Sequence, residues 1–250
     1  MSYQSYRPNS FQALPLVVKN LLIINALFFL ATLVMSTQLE IDLADKLGLH
    51  YPLSEAFRPY QIVTYMFMHG SFMHLFFNMF ALWMFGNTLE NLWGSKRFLT
   101  YYMITGIGAG LVQLLVAHLR LMPLYSQISP EGLQLVLNEG AQIIQNNQNY
   151  TDPIAGQINV LINSTTVGAS GAVFGILLAF GMLFPNTMLY IYFAIPIKAK
   201  WFVILYGALE LYSGIANSSE DNVAHFAHLG GMLFGFILIK YWQRNSNKFY

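Results

Sequence analysis

Apolar residues gather along this chain into six runs, at about 18–36, 72–90, 98–119, 168–184, 200–216 and 224–242, with polar stretches between them. Such runs approach the roughly 20 residues that carry an α-helix across a bilayer core of about 30 Å. Several are short or interrupted by polar side chains, which predicts a bundle with a hydrated interior. The expected fold class is all-α: a polytopic membrane protein forming one membrane domain over 1–250, with no internal repeat and no soluble second domain. Two connections are long, 37–71 and 120–167. In the second, Leu133, Val136, Leu137, Ile143 and Ile144 keep helical spacing behind Ser129-Pro130, a cap followed by a first-turn proline. This predicts a short amphipathic helix on the membrane surface. The IQNNQNYTDP stretch that follows reads as polar loop.

Composition agrees with this pattern. Of the 250 residues 56% are hydrophobic and only 9% charged, against about 25% charged in soluble domains. A net charge of +1 gives no electrostatic case for nucleic acid. Cysteine is absent, which excludes disulfides, thiolate metal sites and a cysteine nucleophile. Neither a cleavable signal peptide nor an organelle import sequence is expected from the N-terminal residues. Basic residues give the orientation. With the N-terminus cytoplasmic, Arg7, Lys19, Lys96, Arg97, Lys198, Lys200, Lys240, Arg244 and Lys248 fall inside. Lys46, Arg58 and Arg120 fall outside, together with Glu40, Asp42, Asp45, Glu55, Glu131, Glu139, Asp152, Glu220 and Asp221. The bias has the sign of the positive-inside rule, and six spans return the C-terminus to the cytoplasm.

Polar groups inside apolar runs cost free energy unless they are satisfied or used. They occur at His69, His74 and Asn78, at Ser170, at Glu210, and at His225 and His228. The segment GASGAVFG, 168–175, sets a serine among small residues at the start of a run, and Gly171 and Gly175 suit close helix packing. AHLGGMLFG, 227–235, places His228, Gly231 and Gly235 along one helix face. Packing of the two glycine faces would bring Ser170 to His228, and serine needs an adjacent base because its free hydroxyl is a weak nucleophile. Glycine packing and a catalytic pair are compatible readings of the same residues. Glycines at +2, +3 and +7 from His228 favour it over His225, which lies about one turn nearer the outer surface and could line a water path. Glu210 is expected in a structural or gating role, and His50 and His118 as incidental.

Gly168-Ala169-Ser170-Gly171 resembles the GxSG motif of rhomboid intramembrane proteases, and AHLGGMLFG resembles their histidine-bearing last core helix. The resemblance implies a six-helix rhomboid-type bundle with short surface helices in the outer loops. It also implies a Ser170–His228 catalytic dyad without an essential aspartate. HGSFMHLFFNM, 69–79, resembles the family's second core helix, which makes His74 and Asn78 oxyanion donors beside the Ser170 backbone N–H; their i, i+4 spacing sets both on one face. By the same resemblance His69 is structural, Phe174 stacks on the catalytic histidine, and Glu90 with Gly94 ties the inner end of the second helix. Tyr60-Gln61 stands where many members have a Trp-Arg pair, which leaves the anchoring of the first loop open. The 120–167 loop reads as an insertion relative to compact members.

The implied activity is a serine endopeptidase cutting peptide bonds in or near the spans of single-span membrane proteins, with no cofactor and no metal. The compact architecture suggests a bacterial inner (plasma) membrane, with the site opening to the outer side. Lipid and single-span proteins are the expected partners, and the sequence does not speak to oligomeric state. Two other classes compete. A catalytically inactive relative that binds membrane clients would typically lack the serine or the histidine, and both are retained here. A metal site or transporter would draw on His69, His74, His225 and His228, but there is no HExxH and carboxylates within the runs are few.

Overall fold

Pro15 opens the first helix, α1 (Leu16–Leu39), and Glu40 ends it in the left-handed conformation, φ 55°, donating its N–H to the Met35 carbonyl. In this computed structural model, residues 14–191, 194–216 and 223–245 are described. Arg7, Glu220, Asp221 and Lys248, used above for orientation, lie outside them. Only Val18, Leu21 and Asn25 of α1 are buried, while Leu27, Leu30 and Leu33 stand about half exposed. A helix apolar on its outward side as well as its inward one is suited to lipid. Among the described residues, α1 and α6 (Ser95–Tyr125) are long and apolar enough to cross a membrane by length and composition.

The remaining apolar runs are also helical, near the expected boundaries. The second is α4 (Phe72–Ala81) and α5 (Asn87–Trp93), joined through a π-helical turn at Leu82–Gly86. The last three are α9 (Ser170–Leu183), α10 (Ala199–Ala216) and α11 (His225–Asn245). None of these, among the described residues, combines the length and apolarity of α1 and α6 in a single helix. α9 has 14 residues, about 21 Å at 1.5 Å per residue, and ten of its side chains or glycines are buried. It is the centre of the bundle, packed against α6, α10 and α11.

Close approach in this centre follows from small residues. A Cβ at Gly231 would overlap the carbonyl of Gly171, and one at Gly235 would lie 3.5 Å from the Gly175 Cα. Positions 171 and 175 thus meet 231 and 235 in register, so α9 and α11 run side by side in the same direction. Glu90 secures the opposite end of the bundle. Its carboxylate accepts the N–H groups of Val17 and Val18 at 2.9 and 2.8 Å and the Ser95 hydroxyl at 2.6 Å. The N–H groups at a helix start have no intrahelical acceptor and favour a negative partner, so one side chain joins α1, α5 and α6.

The loops hold more structure than their sequences predict. Within 37–71 lie α2 (Leu43–Leu47), α3 (Gln61–Thr64) and a 3₁₀ turn over Tyr65–Phe67. Gln61 is fully buried. Its amide donates to the carbonyls of Lys46 and Ala56, and its oxygen accepts the N–H of Arg58, 3.1 Å. This residue therefore supplies the anchoring left open by its departure from Trp-Arg. His50 is not incidental either: buried, it sets Nε2 2.7 Å from the Asp45 carbonyl and 3.3 Å from the Thr165 hydroxyl. His118 Nδ1 meets the Tyr51 hydroxyl at 2.8 Å.

In the second loop α7 (Pro130–Gln145) begins where expected, with the Ser129 hydroxyl accepting from the Gly132 N–H. A further helix, α8 (Pro153–Asn163), was not anticipated, although Asp152 caps it and Pro153 opens it in the same manner. α7 and α8 enclose their own apolar cluster with Leu121, Val136, Ile158 and Ile162. Between α9 and α10 the all-α frame carries one small addition that the apolar runs do not predict, a two-stranded antiparallel pair, β1 (Met188–Ile191) with β2 (Ile195–Lys198).

Candidate active site

Ser170 is the first residue of α9, and His228 lies in the first turn of α11. Because these helices start at the same end of the bundle and touch through glycine, the two side chains meet. His228 Nε2 is 2.8 Å from Ser170 Oγ. The segment leading into Ser170 is held from the first loop: Leu49 and Thr166 exchange backbone hydrogen bonds at 2.8 and 2.9 Å, and the Gly168 N–H reaches the Tyr65 carbonyl at 2.9 Å. Gly168 has φ +130°, a conformation that side chains rarely adopt.

That glycine also leaves room for His74. A Cβ at position 168 would lie 2.8 Å from His74 Cε1 and Nε2 and 3.5 Å from Ser170 Oγ. The His74 ring therefore stands over the chain immediately before the serine. Ser71 caps α4 by accepting the His74 N–H at 3.1 Å, which fixes the helical turn that presents the ring. Asn78 is nearly buried and donates its amide to the His74 carbonyl at 3.0 Å. It shares a helix face with His74, but its recorded hydrogen bond is spent on the helix backbone. His69 is buried edge-on to His74, ring centroids 5.0 Å apart, and neither of its ring nitrogens has a hydrogen-bond partner among the described residues.

Phe174, one turn along α9, stacks on His228 with centroids 4.2 Å apart and planes within 6°. Tyr206 of α10 packs in turn on Phe174, centroids 4.8 Å apart. On the far side of the imidazole lies the residue that sequence reasoning set aside. Glu210 of α10 places Oε2 2.8 Å from His228 Nδ1 and 2.7 Å from His225 Nδ1. His225 therefore sits on the carboxylate, not on the serine. The pair expected as a dyad continues into a chain of Ser170, His228 and Glu210. A carboxylate in an apolar run was the signal available, but which histidine it would face was not legible.

Ligand atoms of Glu210, His225 and His228 lie within 4.8 Å of one another, so among the described residues this trio, and not the four histidines, is the grouping that could hold a metal ion. The geometry is that of hydrogen bonds, however, with both Nδ1 atoms aimed at one oxygen and His228 Nε2 at the serine.

A serine, a histidine and a carboxylate in sequence, beside the free N–H groups of a helix start, form an arrangement suited to acyl transfer. A family model described as the rhomboid domain matches residues 56–244. The chain belongs to the rhomboid family. It is 28% identical over 211 residues to a mitochondrial rhomboid protein of Schizosaccharomyces pombe, covering 76% of this chain and 53% of that one. It is 27% identical over 174 residues to the mitochondrial Rhomboid protein 1 of Saccharomyces cerevisiae, covering 70% and 39% respectively. Rhomboid-like protease 1 of Toxoplasma gondii matches at 27% over 101 residues, 38% of this chain and 34% of that protein. The chain thus spans about half or less of these rhomboid relatives, and membership places it in an intramembrane protease family of membrane proteins.

Proposed function

We propose that this rhomboid is an active serine endopeptidase that cleaves single-span membrane proteins in or near their spans. The observation that carries the reading is the 2.8 Å contact between His228 Nε2 and Ser170 Oγ. Ser170 Oγ attacks the scissile carbonyl carbon while its proton passes to His228 Nε2. The carbonyl π electrons move to oxygen, and the resulting oxyanion is met by the Ser170 N–H and by His74, with Asn78 as a further donor once its amide turns from the backbone. Collapse re-forms the carbonyl, breaks the C–N bond and delivers the Nε2 proton to the leaving amine. Water, deprotonated by the same nitrogen, then attacks the acyl-enzyme, and collapse of this second tetrahedral adduct frees the acid and returns the proton to Ser170 Oγ.

The helices α1, α4 with α5, α6, α9, α10 and α11 are the six proposed spans, with α7 and α8 at the outer surface. Both chain ends then face the cytoplasm across the plasma membrane. α9, about 21 Å long, is shorter than a bilayer core of about 30 Å. Starting it at Ser170 sets the nucleophile below the outer surface, where water enters from outside. An intact substrate helix keeps its carbonyls hydrogen-bonded, so substrates whose helices are locally weakened by Gly or Pro are favoured, with small residues such as Ala near the scissile bond.

The test is cleavage of a tagged single-span substrate in liposomes by wild type, Ser170→Ala and His228→Ala, each checked for folding. Activity in wild type alone supports the proposal. Cleavage that survives in Ser170→Ala refutes it, and unchanged client binding without any cleavage by wild type favours an inactive, client-binding member.

A further inference from the structure

We propose that Glu210 is a positioning residue that converts the serine–histidine pair of this protein into a functional triad, with His225 as the second anchor of its carboxylate. The inference rests on the protease reading above and goes beyond a dyad. Three observations carry it. First, Glu210 is only 6% exposed, although Leu209 and Leu211 on either side are 61% and 46% exposed. The helix therefore turns this one carboxylate inward. A buried charge is retained only where partners offset its lost hydration, and the partners here are two imidazoles on one oxygen, Oε2.

Second, the contact selects the tautomer. A neutral imidazole carries one N–H, and a carboxylate can only accept. With Glu210 at Nδ1, the proton lies on Nδ1 and the lone pair on Nε2, facing Ser170 Oγ at 2.8 Å. The opposite tautomer would donate to the serine and could not receive its proton. The same carboxylate stabilises the imidazolium formed during attack.

Third, α10 holds the ring from two directions. Glu210 fixes its edge, and Tyr206, one turn earlier, backs Phe174 against its face. His225 and His228 rings are nearly perpendicular, 87°, with centroids 6.3 Å apart, so both reach Oε2 without stacking on each other. His225 thereby keeps the carboxylate from turning away when His228 becomes charged and moves its proton.

The experiment compares wild type, Glu210→Gln, Glu210→Asp and His225→Ala for kcat and KM on a single-span substrate in liposomes. It adds ¹⁵N spectra of histidine-labelled protein and thermal melts. Glu210→Gln is expected to lower kcat by about 100-fold or more, by analogy with carboxylate-to-amide changes in serine triads, and to leave KM within about twofold. The His228 ¹⁵N signals should show Nδ1–H in wild type and in Ser170→Ala, and a mixture of tautomers in Glu210→Gln. Glu210→Asp, which keeps the charge at longer reach, should recover part of kcat, and His225→Ala should lose several-fold. A Glu210→Gln enzyme within threefold of wild type, or an unchanged His228 tautomer in it, overturns the proposal. If the glutamine variant does not fold, the aspartate variant decides: the same histidine spectrum and full kcat would overturn it. A wild type that never cleaves defeats the protease reading alone, because the tautomer comparison still judges Glu210.

Discussion

Replacing Gly231 with alanine puts one methyl group between the two helices that carry Ser170 and His228. Its Cβ would overlap the Gly171 carbonyl oxygen and lie 2.7 Å from the Gly171 carbon and 3.2 Å from its Cα. All three obstacles are backbone, so no rotamer change relieves them. Restoring ordinary contact requires α9 and α11 to separate by on the order of 1.5 Å, since packed interiors have no slack to absorb the overlap. Ser170 precedes Gly171 directly, and His228 lies one turn before Gly231, so the separation falls on their 2.8 Å hydrogen bond. The bond would stretch past about 4 Å, beyond hydrogen-bond reach. Misplacement by about 1 Å can cost about 100-fold in rate, and overpacking about 1–3 kcal/mol in stability. The assay measures cleavage per folded molecule beside thermal melting. Gly235→Ala should be milder, because its nearest obstacle is the Tyr101 hydroxyl, a side-chain end. Gly70→Ala should be close to neutral, because its Cβ meets only Val167 Cγ2 at 4.0 Å. A Gly231→Ala enzyme with wild-type kcat and an unchanged melt would refute the claim that glycine contact aligns the pair.

Phe174→Leu removes the ring stacked on His228. At about 0.5–1.5 kcal/mol for such a contact, cleavage should fall about 2- to 13-fold with the fold intact. Glu90→Leu orphans the N–H groups of Val17 and Val18, so stability should fall by about 1–3 kcal/mol per group. Activity per folded molecule should hold, and a large kcat loss without melting would contradict the stapling role. Gln61→Leu should loosen the first loop and the segment it holds before Ser170, seen as faster amide exchange at Leu49 and Thr166; unchanged exchange would count against that coupling. On the proposed mechanism, exhaustive chelation should leave cleavage within about twofold, because serine–histidine hydrolysis needs no metal. A loss restored by zinc would reassign Glu210, His225 and His228 to a metal site.

Most of the helical frame was legible because its signals are local. Apolar run length located α1, α6 and α9–α11 to within about three residues, except that α6 runs six residues past the expected end, and Ser129-Pro130 announced the start of α7. Asp152-Pro153 carries the same cap-and-proline signal for α8, but the polar residues just before it masked the helix as loop. The β1–β2 hairpin was missed because its short strands sit between two long apolar runs and have little periodicity of their own. Gln61 was read only as a departure from a family pair, while its value lies in four backbone partners scattered from Lys46 to Arg58. No spacing rule collects such partners.

The site divides along the same line. Ser170, His228, Gly171, Gly231 and Gly235 could be grouped because the family resemblance names them and the matching glycine offsets let the two helices pack with the polar residues level, as the contacts in the structure have them. Glu210 obeys no offset within its own helix. Its position matters through α11, eighteen residues away for His228 and fifteen for His225, and which histidine it meets depends on how α10 is rotated about its axis. That rotation is set by Tyr206 on Phe174 and by Gly214 against Phe226, contacts between bulky groups that leave no periodic trace. A carboxylate within an apolar run thus carried the information that something held it, while the identity of its partners resided wholly in the packing of three helices.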